Sequence, residues 1–134
     1  MSRTQSRITS FKVAYALAFS NETTPAVIND AVNIALEPGQ TITGPEGEYI
    51  KSVLDSLNTN LAEIDSSIST NLRNFTIDRI SKIDLAVLRL AIAESMLAQT
   101  PVAVIINEST DIAKKFGTQT SPDFVNGILS KLLN

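Results

Sequence analysis

The segment from Leu85 to Leu97 constrains this chain more than any other. Read as a helix, it is apolar on nearly every face except at Arg89 and Glu94. A helix without a polar side cannot lie on a surface, so this one must be central, with other helices wrapped around it. An unpaired guanidinium in such surroundings is costly. Arg89 therefore needs a carboxylate, with Glu94, Glu108 or Asp111 as candidates, and its role is structural.

The wrapping helices announce themselves by their ends and their spacing. Thr24-Pro25, Thr100-Pro101 and Ser121-Pro122 each place a hydroxyl where an N-cap is wanted and a proline where its missing amide hydrogen costs nothing, predicting three helix starts. Ser81-Lys82-Ile83-Asp84 reads as a capping box for the central helix. Ile8, Phe11, Tyr15 and Ala18 recur at three- and four-residue steps, giving a first amphipathic helix ending near Ser20-Asn21. Ile28, Ala31, Val32 and Ala35 form the stripe of a second helix, stopped by Glu37-Pro38-Gly39. After the loop over 37–47, Ile50, Val53, Leu57, Leu61, Ile64, Ile68 and Leu72 predict one long helix with a weak point at Asn58-Thr59-Asn60. A short turn over Ile77 to Ile80 precedes the central helix. Val102, Ile105, Ile106, Ser109, Ile112, Ala113 and Phe116 mark the next helix, with Gly117 as a left-handed terminal residue. Pro122 to Leu133 supplies the last. Gly127 lies inside it, which predicts a close helix crossing there, because glycine in a helix costs about 1 kcal/mol relative to alanine.

With 134 residues the length favours one domain spanning 1–134, and a chain rich in Ala, Leu and Ile with 5% aromatics favours an all-α class. No stretch approaches the roughly 20 apolar residues of a membrane span, and Met1 leads into Ser, Arg and Gln, so a cytoplasmic protein without membrane contact is expected. There is no cysteine and no histidine, which removes disulfides, thiolate metal sites and the commonest general base. The acids follow no metal-loop pattern, and the glycines at 39, 44 and 47 form no phosphate loop. No catalytic residue, metal or cofactor is expected.

Charge is unevenly spread. Residues 1–21 hold Arg3, Arg7 and Lys12 and no acid, whereas Glu22 to Leu72 carries eight acids against Lys51 alone. Arg3 and Arg7 are one helical turn apart, with Lys12 about one turn further, a spacing able to present three cations to a phosphate backbone or simply a solvated face. The net charge of −3 argues against indiscriminate nucleic-acid binding.

Four blocks in order carry a family resemblance: Ile83-Asp84-Leu85-Ala86-Val87-Leu88-Arg89-Leu90-Ala91, Ile106-Asn107-Glu108, Ala113-Lys114-Lys115-Phe116-Gly117 and Phe124-Val125-Asn126-Gly127-Ile128-Leu129. From about Phe75 to the C-terminus the chain resembles the NusB family of transcription antitermination factors, and Arg7, Ala14 and Tyr15 match that family's first helix. The resemblance implies about seven helices, an N-terminal three-helix bundle packed against a C-terminal four-helix bundle. It implies an adaptor, not an enzyme, that binds boxA-type single-stranded RNA together with ribosomal protein NusE. Such a complex acts with other Nus factors on a transcribing RNA polymerase, particularly on ribosomal RNA operons.

The same resemblance implies an RNA surface of Arg3, Arg7, Lys12, Lys114, Thr118, Gln119, Thr120 and Ser121, with Arg7 the leading residue of the first helix. Amides exposed after Ser121 and Pro122 suit an anion, and the short polar side chains before them suit phosphate or a splayed base. Tyr15 and Asp84 resemble the NusE-facing positions, although Tyr15 also suits a core and Asp84 a cap. The competing reading is a helical protein-interaction module that reads no RNA, as a monomer or a homodimer.

Overall fold

A computed structural model describes residues 1–20 and 23–134, so the expected end of the first helix at Asn21 lies outside the described residues. Seven α-helices and one 3₁₀ turn are described, and no strand among the described residues. They are α1 (Arg3–Leu17), α2 (Pro25–Ala35), α3 (Gly44–Thr59), α4 (Leu61–Thr70), the turn Ile77–Arg79, α5 (Lys82–Met96), α6 (Val102–Phe116) and α7 (Ser121–Leu133).

The all-round apolar helix is central, as its composition demands. α5 packs against α1, α3, α4, α6 and α7, and it buries Leu85 through Leu88 and Leu90 through Glu94. α1 packs on α2 and α3, α6 pairs with α7, and α1 and α3 lie on α5. The architecture is therefore a three-helix N-terminal bundle against a four-helix C-terminal one, sharing a single apolar core.

Several local expectations need correction. Leu61 to Leu72 does not continue α3, because α3 ends at Thr59 and α4 restarts at Leu61. Asn60 has φ −109° and ψ 16°, outside the helical well, and its side-chain amide donates to the Ser56 carbonyl at 3.0 Å. Of the three hydroxyl-proline starts, only Thr24 caps as expected, accepting from the Val27 amide at 3.2 Å. Before α6 the N-cap is Pro101, which has no side chain able to cap. Before α7 the N-cap is Thr120, and Ser121 lies inside the helix.

Arg89 makes its expected ion pair with a different partner. Its Nε and Nη2 donate to both oxygens of Asp65 on α4, each at 2.8 Å. Glu94, five residues along the same helix, points away from Arg89, since i and i+5 do not share a face.

The glycines divide similarly. Gly117 closes α6 with φ −90° and ψ −162°, not in the left-handed region, and a Cβ there would strike the Ser121 side chain and sit 2.7 Å from the Ala113 carbonyl oxygen. Gly127, expected at a helix crossing, is exposed, with nothing within 4 Å of where a Cβ would stand.

Candidate nucleic-acid interface

The buried face of α1 is not the stripe its apolar residues suggest. Ser6, Ser10 and Val13 are fully buried, with Arg7, Phe11, Ala14 and Leu17 beside them, while Tyr15 points outward. Ser10 donates to the Ser6 carbonyl at 2.9 Å, a local bond that lets small hydroxyls sit inside a helix contact. Polar residues at core positions hid the period from a hydrophobicity pattern.

Arg7 is consequently a core residue, 5% exposed, and not a surface cation. Its Nε and Nη2 donate to Glu94 of α5 at 3.1 and 2.8 Å, its Nη1 lies 3.8 Å from Glu108 of α6, and Tyr49 of α3 donates its hydroxyl to the same Glu94 carboxylate at 2.7 Å. Burial opposes the charge on Glu94, but hydrogen bonds from Arg7 and Tyr49 outweigh it and hold the carboxyl below its ordinary range. Burial also pushes the Tyr49 phenol far up, so it remains a donor. This triad fastens α1 and α3 to α5. The Arg7 guanidinium is spent on that and offers no free edge to a phosphate.

The other two cations of α1 remain at the surface, each beside an acid. Arg3 Nε donates to both Glu46 oxygens, at 2.9 and 3.2 Å, and Lys12 Nζ lies 3.6 Å from Glu37. All three α1 cations are thus matched by carboxylates from other elements, which the charge count along the chain does not reveal.

Between α1, the connection over 36–43 and the end of α6 runs an open groove of about 440 Å³. Gln5, Ile8, Thr9 and Lys12 line it from α1, Glu37 and Gln40 from the connection, and Lys115 and Phe116 from α6. Lys115 lies over the Phe116 ring with Nζ 5.4 Å from its centroid, and Phe116 packs on Phe11 at 5.0 Å. Lys114 and Lys115 are exposed, as are Thr118, Gln119 and Thr120 beyond them. Ser121, by contrast, is buried, and its hydroxyl accepts from the Thr118 amide at 3.0 Å. It closes the turn that holds 118–120 outward and is not itself an outward donor. The structure brings Lys12 and the α6 end to one surface and leaves Arg3 nine residues away, about 14 Å along the helix. Gln5 and Gln40 escaped the sequence reading because lone glutamines carry no charge or periodic signal.

A second surface carries Tyr15, 37% exposed, in edge-to-face contact with Phe19, 64% exposed, at 5.1 Å. Phe19 was absent from the sequence-based set, since its exposure depends on α1 ending at Leu17. Asp84 donates its amide to the Ser81 hydroxyl at 3.1 Å, the first half of a capping box. Its carboxylate oxygen Oδ1 is buried without a hydrogen-bond partner among the described residues.

The fold recurs in known proteins. The model of the NusB family matches residues 4–134. The chain belongs to the NusB family. A transcription antitermination protein NusB from Natranaerobius thermophilus is 36% identical over 135 residues, covering all of this chain and 96% of that protein. One from Pseudothermotoga lettingae is 34% identical, covering 97% and 89%. Among solved structures, T. maritima NusB superposes with a TM-score of 0.86 at 29% identity, covering 98% of this chain and 90% of that one. A chain from a crystal structure of the antitermination factors NusB and NusE in complex with dsRNA gives 0.80 at 27% identity, covering 98% and 97%. No helix among the described residues is long and apolar enough to cross a membrane.

Proposed function

We propose that this chain is a transcription antitermination factor that binds boxA-type single-stranded RNA together with ribosomal protein NusE, and so sustains elongation on ribosomal RNA operons as a cytoplasmic, non-catalytic adaptor. The observation that carries the reading is full-length membership of the NusB family, with antitermination proteins matched almost end to end.

The RNA path that suits the geometry runs along the exposed side of α1, from Arg3 past the groove at Lys12, to Lys114, Lys115 and the outward residues Thr118, Gln119 and Thr120. Lysines there supply phosphate contacts and the short polar side chains supply hydrogen bonds to backbone or base edges. The Phe116 edge and Gln5 and Gln40 suit a splayed base. NusE is assigned to the Tyr15–Phe19 surface and to Asp84, a half-buried carboxylate at the start of α5 that suits a basic ribosomal protein.

The test of the RNA path is substitution at its centre. Lys12→Ala with Lys115→Ala is expected to weaken boxA-type RNA binding about 5- to 30-fold, as two lost phosphate contacts imply, without lowering the thermal midpoint. Affinity unchanged by that pair would move the RNA elsewhere. The alternative module without RNA binding predicts no titration at any salt concentration.

A further inference from the structure

We propose that the Glu46 carboxylate is a built-in competitor for RNA phosphate: it fills the anion site that Arg3 forms at the start of α1, and a phosphate must displace it to bind there. The inference rests on the RNA-binding reading above and names a residue that regulates that surface.

Glu46 is held as a phosphate would be. Arg3 Nε donates to both of its oxygens, the Ser6 hydroxyl lies 2.7 Å from Oε2, and the Arg3 guanidinium lies over the Tyr49 ring with Cζ 4.2 Å from the centroid. Carboxylate and phosphate make the same demand on a guanidinium, so a site built for one accepts the other.

The contact is also built to exchange. The side chains of Arg3 and Glu46 are 43% and 23% exposed, against 6% and 5% for the neighbouring Arg7–Glu94 pair. A solvent-open ion pair is weakly held, whereas a desolvated one resists separation. When Glu46 leaves, nothing polar is stranded. The Ser6 hydroxyl has a second acceptor in the Ser2 carbonyl at 2.9 Å, and Arg3 keeps its seat on the Tyr49 ring, ready for an incoming oxygen. Glu46 stands in the first turn of α3, directly after the connection over 36–43, so its side chain can swing into water.

Affinity for RNA is then reduced by the fraction of molecules in which Arg3 is already occupied. Anisotropy titrations of labelled boxA-type RNA with the full chain, with and without NusE, test this. Glu46→Gln is expected to bind about 3- to 10-fold tighter than the native protein, and the gain is expected to vanish in an Arg3→Ala background, where no cation is freed. Glu46→Asp keeps the charge at the helix start but withdraws it from Arg3, and is expected to gain as well. A gain cannot arise from misfolding. Native RNA binding with no gain in the folded Glu46 variants would overturn the competitor and leave the RNA reading in place, as would a gain that persists without Arg3. Absence of RNA binding by native and variant proteins alike would overturn both.

Discussion

At residue scale, two glycines ten positions apart behave oppositely, and the reason lies in what faces them. A Cβ at Gly117 meets the Ser121 side chain and the Ala113 carbonyl oxygen, so Gly117→Ala must push the turn over 118–120 away from α6. The expected cost is about 1–3 kcal/mol, read as a lower urea midpoint, together with weaker RNA binding because the turn is displaced. Gly127 faces open space inside α7, so Gly127→Ala is expected to raise stability by up to about 1 kcal/mol, a thermal midpoint higher by roughly 3–5 °C. A lower midpoint would mean that a partner or neighbour does cover it. In sequence Gly117 reads as a helix end and Gly127 as a helix crossing, but neither reading tells what faces the residue. Their difference is tertiary, since Gly117 owes its identity to a serine four residues on and Gly127 owes nothing to any described neighbour.

At the scale of elements, the docking of α1 on α5 hangs on a charge pair that sequence spacing misassigned. Arg89 and Glu94 both announce themselves as charges in an apolar helix, and that Arg89 needs a carboxylate was legible. Which partner was not, because Asp65, Arg7 and Tyr49 reach them only through the packing of α4, α1 and α3. Glu94→Ala leaves the Arg7 charge buried and is expected to cost about 3–5 kcal/mol in denaturant unfolding, more than any surface ion pair here. The pH dependence has a defined sign. Burial notwithstanding, hydrogen bonds from Arg7 and Tyr49 hold the Glu94 carboxyl below its unfolded range. Its contribution is therefore complete above the ordinary carboxylate pKa of about 4.3 and is lost as pH falls through the lower folded value. Urea midpoints measured from pH 7 to pH 3 are expected to decline less steeply in Glu94→Gln than in the native protein, even though the variant is the less stable of the two at pH 7. The break at Asn60 was visible as a run of poor helix formers, but whether such a run bends or ends a helix is decided by where α4 must lie to cover α5.

For the whole molecule, the class, the helix order and the central element were readable, because an all-round apolar helix admits one kind of surroundings and the prolines at 25, 101 and 122 mark three helix starts to within a residue or two. The surface was less readable. Three cations in the first helix predict a basic stripe, whereas the fold buries Arg7 and sets Glu46 and Glu37 against Arg3 and Lys12. The electrostatic footprint left to RNA is correspondingly small. With about two to four phosphates neutralised, the slope of log affinity against log salt is expected to be roughly −1.5 to −3. Asp84→Lys combined with Tyr15→Ala is expected to cost several kcal/mol of NusE binding by calorimetry while RNA binding by the isolated chain changes little. The central claim, that this family member joins boxA-type RNA to NusE, is tested most directly by titrating labelled boxA-type RNA with the chain alone and with the chain pre-mixed with NusE. Saturable binding by the chain that becomes tighter with NusE, and tighter than for a scrambled RNA, is the expected result. Equal affinity for boxA-type and scrambled RNA, or no binding at low salt with NusE present, would contradict the account.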